Sequence, residues 1–196
     1  MTSIHIILDR SGSMWECMDD TIGGFNTFIS EQRADKSNEC KISLYQFDHE
    51  YMEVYRDRKI EEVSNLSKED YCPRGQTALL DAIGRTIGGI KEEGKVVVVI
   101  ITDGQDNMSM EFKLGSIKKM IEKKKEEGWS FVFLGANQDA IVAGGNLGIG
   151  RNSSMTFSQT PQNVNSCFRN LSAAISRNRS GEDIIFTPKE REESME

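Results

Sequence analysis

Five side chains stand out by type and placing. Asp9, Ser11 and Ser13 occupy alternate positions in Asp9-Arg10-Ser11-Gly12-Ser13. An acidic residue followed two and four residues later by hydroxyls can converge in a tight turn, and Gly12 permits the backbone to fold that tightly. Asp103 follows the apolar run Val96 to Ile101 and Thr102, while Thr77 follows Pro73-Arg74-Gly75-Gln76 and precedes an apolar stripe. Carboxylates and hydroxyls are hard oxygen donors of the kind that suits Mg²⁺ or Mn²⁺; Mg²⁺ takes octahedral oxygen coordination and keeps several waters. With two carboxylates against a 2+ ion, the ion stays electrophilic and can accept an anionic ligand from outside. Taken singly, Ser13 and Thr77 also suit helix N-caps, and Asp103 suits a turn. Taken together, all three segments fall at the ends of predicted elements on one rim of a sheet.

The elements that must position these residues alternate between strand and helix. Ile4, Ile6, Ile7 and Leu8 form a short apolar run that reads as a buried parallel strand. A helix over 18–34 follows, with Ile22, Phe25, Phe28 and Ile29 on one face and Gly23-Gly24 weakening it locally. Lys41 to Asp48 and Tyr51 to Tyr55 alternate as two strands of a hairpin turned at Asp48-His49-Glu50, which puts the second at a sheet edge. After a polar stretch to Gln76, Leu79, Leu80, Ile83, Ile87 and Ile90 trace a helix that Gly94 is expected to stop. The β-branched run Val96–Ile101 marks a central strand buried on both faces. A helix over 111–127 and a strand from Trp129 to Leu134 come next; Asp139 to Ala143 begins a short helix that glycines break, and Met155 to Phe157 reads as a last short strand. Pro161 opens a final helix striped by Val164, Phe168, Leu171 and Ile175. The fold class is therefore α/β: a doubly wound, mostly parallel sheet with one antiparallel edge strand and helices on both faces. In such sheets ligands bind at the carboxyl ends of the strands, which selects the loops after Leu8 and Ile101 and the one before Ala78.

These motifs carry a resemblance. Asp9-Arg10-Ser11-Gly12-Ser13 matches the D-x-S-x-S signature of von Willebrand factor A domains. Gly75-Gln76-Thr77-Ala78-Leu79-Leu80-Asp81-Ala82-Ile83 resembles that family's threonine loop, and Ile100-Ile101-Thr102-Asp103-Gly104 its aspartate-bearing third loop. The resemblance covers residues 3–178 in element order. It implies a metal-ion-dependent adhesion site at Asp9, Ser11, Ser13, Thr77 and Asp103, with the hydroxyls coordinating directly, the aspartates often through water, and a partner protein's Asp or Glu completing the shell. The candidates for surrounding partner contacts are Arg10, Met14, Trp15, Gln105, Asp106 and Asn107, with Met14 and Trp15 as apolar anchors.

Composition narrows the alternatives. The 196 residues suit one domain, read as 1–180 with a charged tail over 181–196. Lys189 to Glu196 has one apolar residue, Met195, so it is expected to fray, and truncation after Thr187 to leave the melting temperature nearly unchanged. A net charge of −7 argues against nucleic acid. No apolar run approaches the roughly 18 residues of a membrane span, and the start of the chain has no signal-peptide pattern, so the expected compartment is cytoplasmic. Cys17, Cys40, Cys72 and Cys167 form no C-x-x-C pair and read as free thiols. The leading function is a non-enzymatic, metal-dependent protein-binding module. The alternative is a Mg²⁺-dependent phosphoryl-transfer or hydrolytic enzyme, whose nucleophile would be a strand-end Asp. Against it, Ser11 stands where enzymes of the haloacid dehalogenase type carry a second Asp, and no P-loop or nucleophile elbow is present.

Overall fold

The computed structural model describes residues 1–91 and 94–195. The strands are β1 (Thr2–Asp9), β2 (Cys40–Phe47), β3 (Tyr51–Lys59), β4 (Lys95–Thr102), β5 (Ser130–Ala136) and β6 (Ser154–Phe157). The helices are α1 (Met18–Ala34), α2 (Leu79–Gly89), α3 (Leu114–Glu126), α4 (Ala140–Asn146), α5 (Pro161–Arg179) and α6 (Pro188–Glu192). Strand order is β3-β2-β1-β4-β5-β6; β3 runs antiparallel to β2 and the other pairings are parallel. This is the expected doubly wound sheet with its hairpin at one edge. β3 runs to Lys59, beyond the predicted Tyr55, past a register shift opposite Ile42–Tyr45.

The continuous run in β4 has a simple cause. Successive side chains point to opposite faces, and both faces are covered. Val97, Val99 and Ile101 pack with Ile4, Ile6 and Leu8 against α1 and α5, while Val96, Val98 and Ile100 pack with Ile7 against α2 and α3. Each such side chain contributes about 1.5–3 kcal/mol by leaving water. Gly24, expected only to weaken α1, has a packing role: a Cβ there would lie 2.3 Å from the Phe168 ring, so its absence lets α1 and α5 approach closely.

Three boundaries depart from the sequence reading. α2 ends at Gly89, with Ile90 already extended, so Gly94 does not stop it; Glu92 and Glu93 lie outside the described residues. α3 begins at Leu114 rather than 111, because Asp81 on α2 accepts the backbone N–H groups of Met110, Glu111 and Phe112 and holds that stretch out of the helix. Those bonds also keep the Asp81 carboxyl below the usual range against the opposing pull of burial.

The third departure is the C-terminal segment, which is docked rather than frayed. Ile184 and Phe186 are buried in the α1/α5 core. α6 starts with a full capping box between Thr187 and Glu190 and Pro188 in its first turn. Glu190 pairs with Arg177 at 2.9 Å, Arg191 donates to the carbonyls of Arg151 and Ser154, and Ser194 is fully buried. Glu196 lies outside the described residues. The charged side chains that suggested a tail are those that bond it down. The four cysteines are free, with Cys72 exposed and the others buried. No described helix is long and apolar enough to cross a membrane.

Candidate metal centre

Asp9 ends β1 with its side chain shut off from solvent. Its Oδ1 accepts the Ser11 N–H at 2.6 Å, and its Oδ2 accepts the hydroxyl of Thr102, at the end of neighbouring β4, at 2.6 Å. Its carbonyl accepts the hydroxyl of the buried Tyr71 at 2.6 Å. The chain then turns through the 3₁₀ segment Gly12–Cys17. Gly12 donates its N–H to the Gly75 carbonyl at 3.2 Å; its backbone is not left-handed, and a Cβ would meet that oxygen at 3.4 Å, an ordinary contact, so the turn does not require glycine in the way its sequence position suggests.

The five predicted residues come together across three loops. The Ser11 and Ser13 hydroxyls lie 3.2 Å apart, and Ser13 donates to Asp103 Oδ1 at 2.7 Å. Thr77 is gripped through its backbone, its N–H donating to Asn107 Oδ1 at 2.9 Å and its carbonyl accepting from Asn107 N at 2.9 Å. Its Oγ1 lies 3.6 Å from where a side chain on Gly104 would begin, and it has no hydrogen-bond partner among the described residues. Gly75 brings this loop in with φ +66°, and a Cβ there would strike the His49 ring at 2.1 Å.

The electrostatics of the cluster are those of a site lacking a positive charge. Neither Asp9 nor Asp103 has an ion-pair partner among the described residues. Burial pushes the Asp9 carboxyl up to about 6; the charge of Asp103 acts in the same direction, and the bonds from Thr102 and Ser11 oppose it. A cation beside these groups would reverse that balance by favouring the ionised form. Two unpaired carboxylates, a free threonine hydroxyl and two serines form an all-oxygen donor set, which fits a hard divalent ion.

Several contributors were not visible in the sequence. Gln159, in the loop after β6, donates to Asp103 Oδ2 at 3.0 Å and to Cys17 Sγ at 3.5 Å. Tyr71 and Thr102 brace Asp9 from different loops. Only Thr102 carried a signal, a hydroxyl closing an otherwise apolar run beside Asp103.

The residues proposed to surround the site divide. Trp15 is 55% exposed and Gln105 is exposed, so both face solvent. Met14 is corrected: it is fully buried in the core beneath the turn and offers no surface. Arg10 is corrected too, since its guanidinium turns inward to Asp48 at 3.1 Å. Asp106 accepts from Leu80 N and Ser109 Oγ, and Asn107 holds Thr77, so both act within the loops. Beyond Gly104 a groove of about 430 Å³ opens, lined by Leu80, Leu114, Phe133, Val142 and Leu147 among others.

No protein-family model matches the chain, and no curated protein matches it by sequence. Solved structures do match it. The von Willebrand domain of the type V pili tip protein Mfa5 from Porphyromonas gingivalis superposes with TM-score 0.66 at 11% identity, covering 93% of this chain and 97% of that one. The chain has the von Willebrand factor A fold. Proximal thread matrix protein 1 from the mussel byssus, in a structure whose metal-ion-dependent adhesion site holds zinc, matches the A fold with TM-score 0.64 at 16% identity over 89% of this chain. A von Willebrand factor type A protein from Catenulispora acidiphila matches with TM-score 0.62 at 14% identity over 93% of it. The chain spans about half of the mussel protein's length, 46%, and 43% of the Catenulispora chain.

Proposed function

We propose that this chain is a non-enzymatic binding module that holds one divalent cation, Mg²⁺ or Mn²⁺, at Asp9, Ser11, Ser13, Thr77 and Asp103, and through it grips an Asp or Glu of a partner protein. The observation that carries this reading is the convergence of two carboxylates without ion-pair partners and three hydroxyls on one rim of the sheet. A cation with two carboxylates and neutral hydroxyls retains positive charge and an exchangeable water. A partner carboxylate replacing that water makes a charge-assisted, partly desolvated contact. The zinc in the mussel protein's site supports a divalent ion in this fold, and the Mfa5 and mussel proteins are, by name, a pilus tip and a thread matrix component. The exposed Trp15 and the groove beyond Gly104 would select the partner.

The enzymatic alternative finds little support in the placing of bases. His5 faces Ser3 and Tyr45 inside the sheet, and His49 lies beside Asp48. A general base must reach the proton it removes, and none of Ser3, Tyr45 and Asp48 is a residue of the proposed cation site. Isothermal titration should show one Mg²⁺ or Mn²⁺ per chain, lost in Asp9→Ala; equal uptake by that variant would sink the assignment. A partner captured from native lysate should be released by EDTA and missed by Thr77→Ala. Hydrolysis of phosphate esters that disappears in Asp9→Ala would instead favour the enzyme.

A further inference from the structure

Asp48 follows β2, between the first two metal loops, and its side chain is fully buried. Its Oδ2 accepts from Nε of Arg74 at 2.9 Å and lies 3.1 Å from Nε of Arg10, an ion-pair contact without hydrogen-bond alignment. Its Oδ1 accepts the Glu50 N–H at 2.6 Å, and its carbonyl accepts the Ala78 N–H at 2.8 Å. Arg10 stands between Asp9 and Ser11; Ala78 follows Thr77 directly; Arg74 lies three residues before Thr77. Arg74 also donates through its backbone to the Arg10 carbonyl at 2.7 Å and through its second arm to Glu50. One buried carboxylate therefore ties both loops to the same point.

The chemistry around Asp48 argues against a second ion there. Asp48, His49 and Glu50 bring three ligand-type atoms within 4.8 Å of one another. Two guanidinium groups already face the two carboxylates, and Arg74 bridges both acids where a cation would sit. The cluster is a joint between loops.

We infer that Asp48 is a positioning residue for the cation site: it sets the separation of the Ser11–Ser13 pair from Thr77, and so controls cation affinity without touching the ion. This rests on the cation reading above. A buried ion pair could serve the fold alone, so the test must separate positioning from stability and from plain electrostatics. The sign of one variant does so. Arg74→Gln removes a positive charge near a cation site, which by electrostatics alone raises affinity; loss of positioning lowers it.

The experiment is Mn²⁺ titration calorimetry on the full chain, with thermal melting in EDTA. Wild-type protein that takes up no Mn²⁺ would overturn the cation reading itself, and this inference with it. Given binding, Asp48→Asn should retain a cooperative melt and lose at least ten-fold in Mn²⁺ affinity. In a Thr77→Ala background the same change should cost less than three-fold, because the group it positions is gone. Wild-type affinity in a folded Asp48→Asn protein, or an equal loss in both backgrounds, overturns the inference. If Asp48→Asn does not melt cooperatively, Arg74→Gln decides, its side chain being half exposed: a several-fold fall supports positioning, and unchanged or higher affinity overturns it.

Discussion

The loops of the candidate metal centre and residues 180–195 both read as polar, irregular chain, yet they are held in opposite ways. In the loops, polar side chains bond to one another or to nearby backbone, leaving Asp9 and Asp103 without counter-charges and the Thr77 hydroxyl without a partner among the described residues. In the C-terminal segment, bonds run both ways between segment and body, Arg191 donating to the Ser154 carbonyl and Asn170 of α5 donating to the Glu190 carbonyl, and the apolar Ile184 and Phe186 anchor the chain. The first arrangement stores unsatisfied valence for a ligand; the second neutralises itself. Changes in the segment should therefore move stability and leave cation affinity alone, and changes in the loops should do the reverse.

The strongest test of that division is Phe186→Ala. Removing a buried ring should lower unfolding free energy by about 4 kcal/mol, read by denaturant melts in EDTA, with Mn²⁺ affinity of the folded protein unchanged. Unaltered stability would mean that the segment is not anchored.

A pH series probes the opposite half of β1 from Asp9. Burial lowers the His5 pKa from 6.5 to about 4, so the folded protein holds it neutral. The unfolded chain binds that proton more readily, so the His5 contribution is complete above pH 6.5 and is lost as pH drops from 6.5 to 4, roughly 3 kcal/mol. The Asp9 carboxyl, raised to about 6, acts in the opposite direction below pH 6. The His5 effect is therefore read as the difference between the wild-type and His5→Gln profiles, which should change over this window. Parallel profiles would show that His5 is not the group responsible.

Truncation after Thr187 removes α6 together with the buried Ser194. The expected loss is about 2 kcal/mol, a fall of roughly 6 °C in melting temperature for a chain of this size. The smallest effect belongs to the loops. Gln159→Ala frees one oxygen of Asp103 and should weaken Mn²⁺ by about three-fold, roughly 0.6 kcal/mol, with the melt in EDTA unmoved. A lowered melt with intact affinity would place Gln159 on the structural side of the comparison.

What could be read in the sequence follows the range of the interactions. The β-branched run of β4 declares its burial locally, and Asp9-Arg10-Ser11-Gly12-Ser13 carries its geometry within five residues. Strand-end logic places Thr77 and Asp103 on the same rim as Asp9, where the structure also has them. The supports were hidden because each acts across the chain: Tyr71 on Asp9, Gln159 on Asp103, Asp48 on two arginines far apart in sequence. Met14 shows the converse limit, since adjacency to a ligand residue says nothing about which way a 3₁₀ turn points a side chain. In the C-terminal segment the dense charges masked Ile184 and Phe186, two anchors too few to give a periodic stripe.

The two outer strands show how the sheet ends. β3 closes one side with Arg56, Asp57, Arg58 and Lys59, and Asp57 takes a left-handed conformation, φ 52°, with its N–H turned to Ser43 Oγ. Around β6 on the other side, the Ser154 carbonyl accepts from Arg191, the Ser158 N–H donates to Ser194, and the Asn152 carbonyl accepts from Phe186 N. An open row of backbone donors and acceptors is a template for strand addition by another molecule. Charge and distortion guard one margin of this sheet, and the C-terminal segment seals the other. A nick between Arg179 and Phe186 that freed the segment would thus do more than soften the domain: it would strip these partners from the backbone at and beside β6 and leave that margin of the sheet open to water.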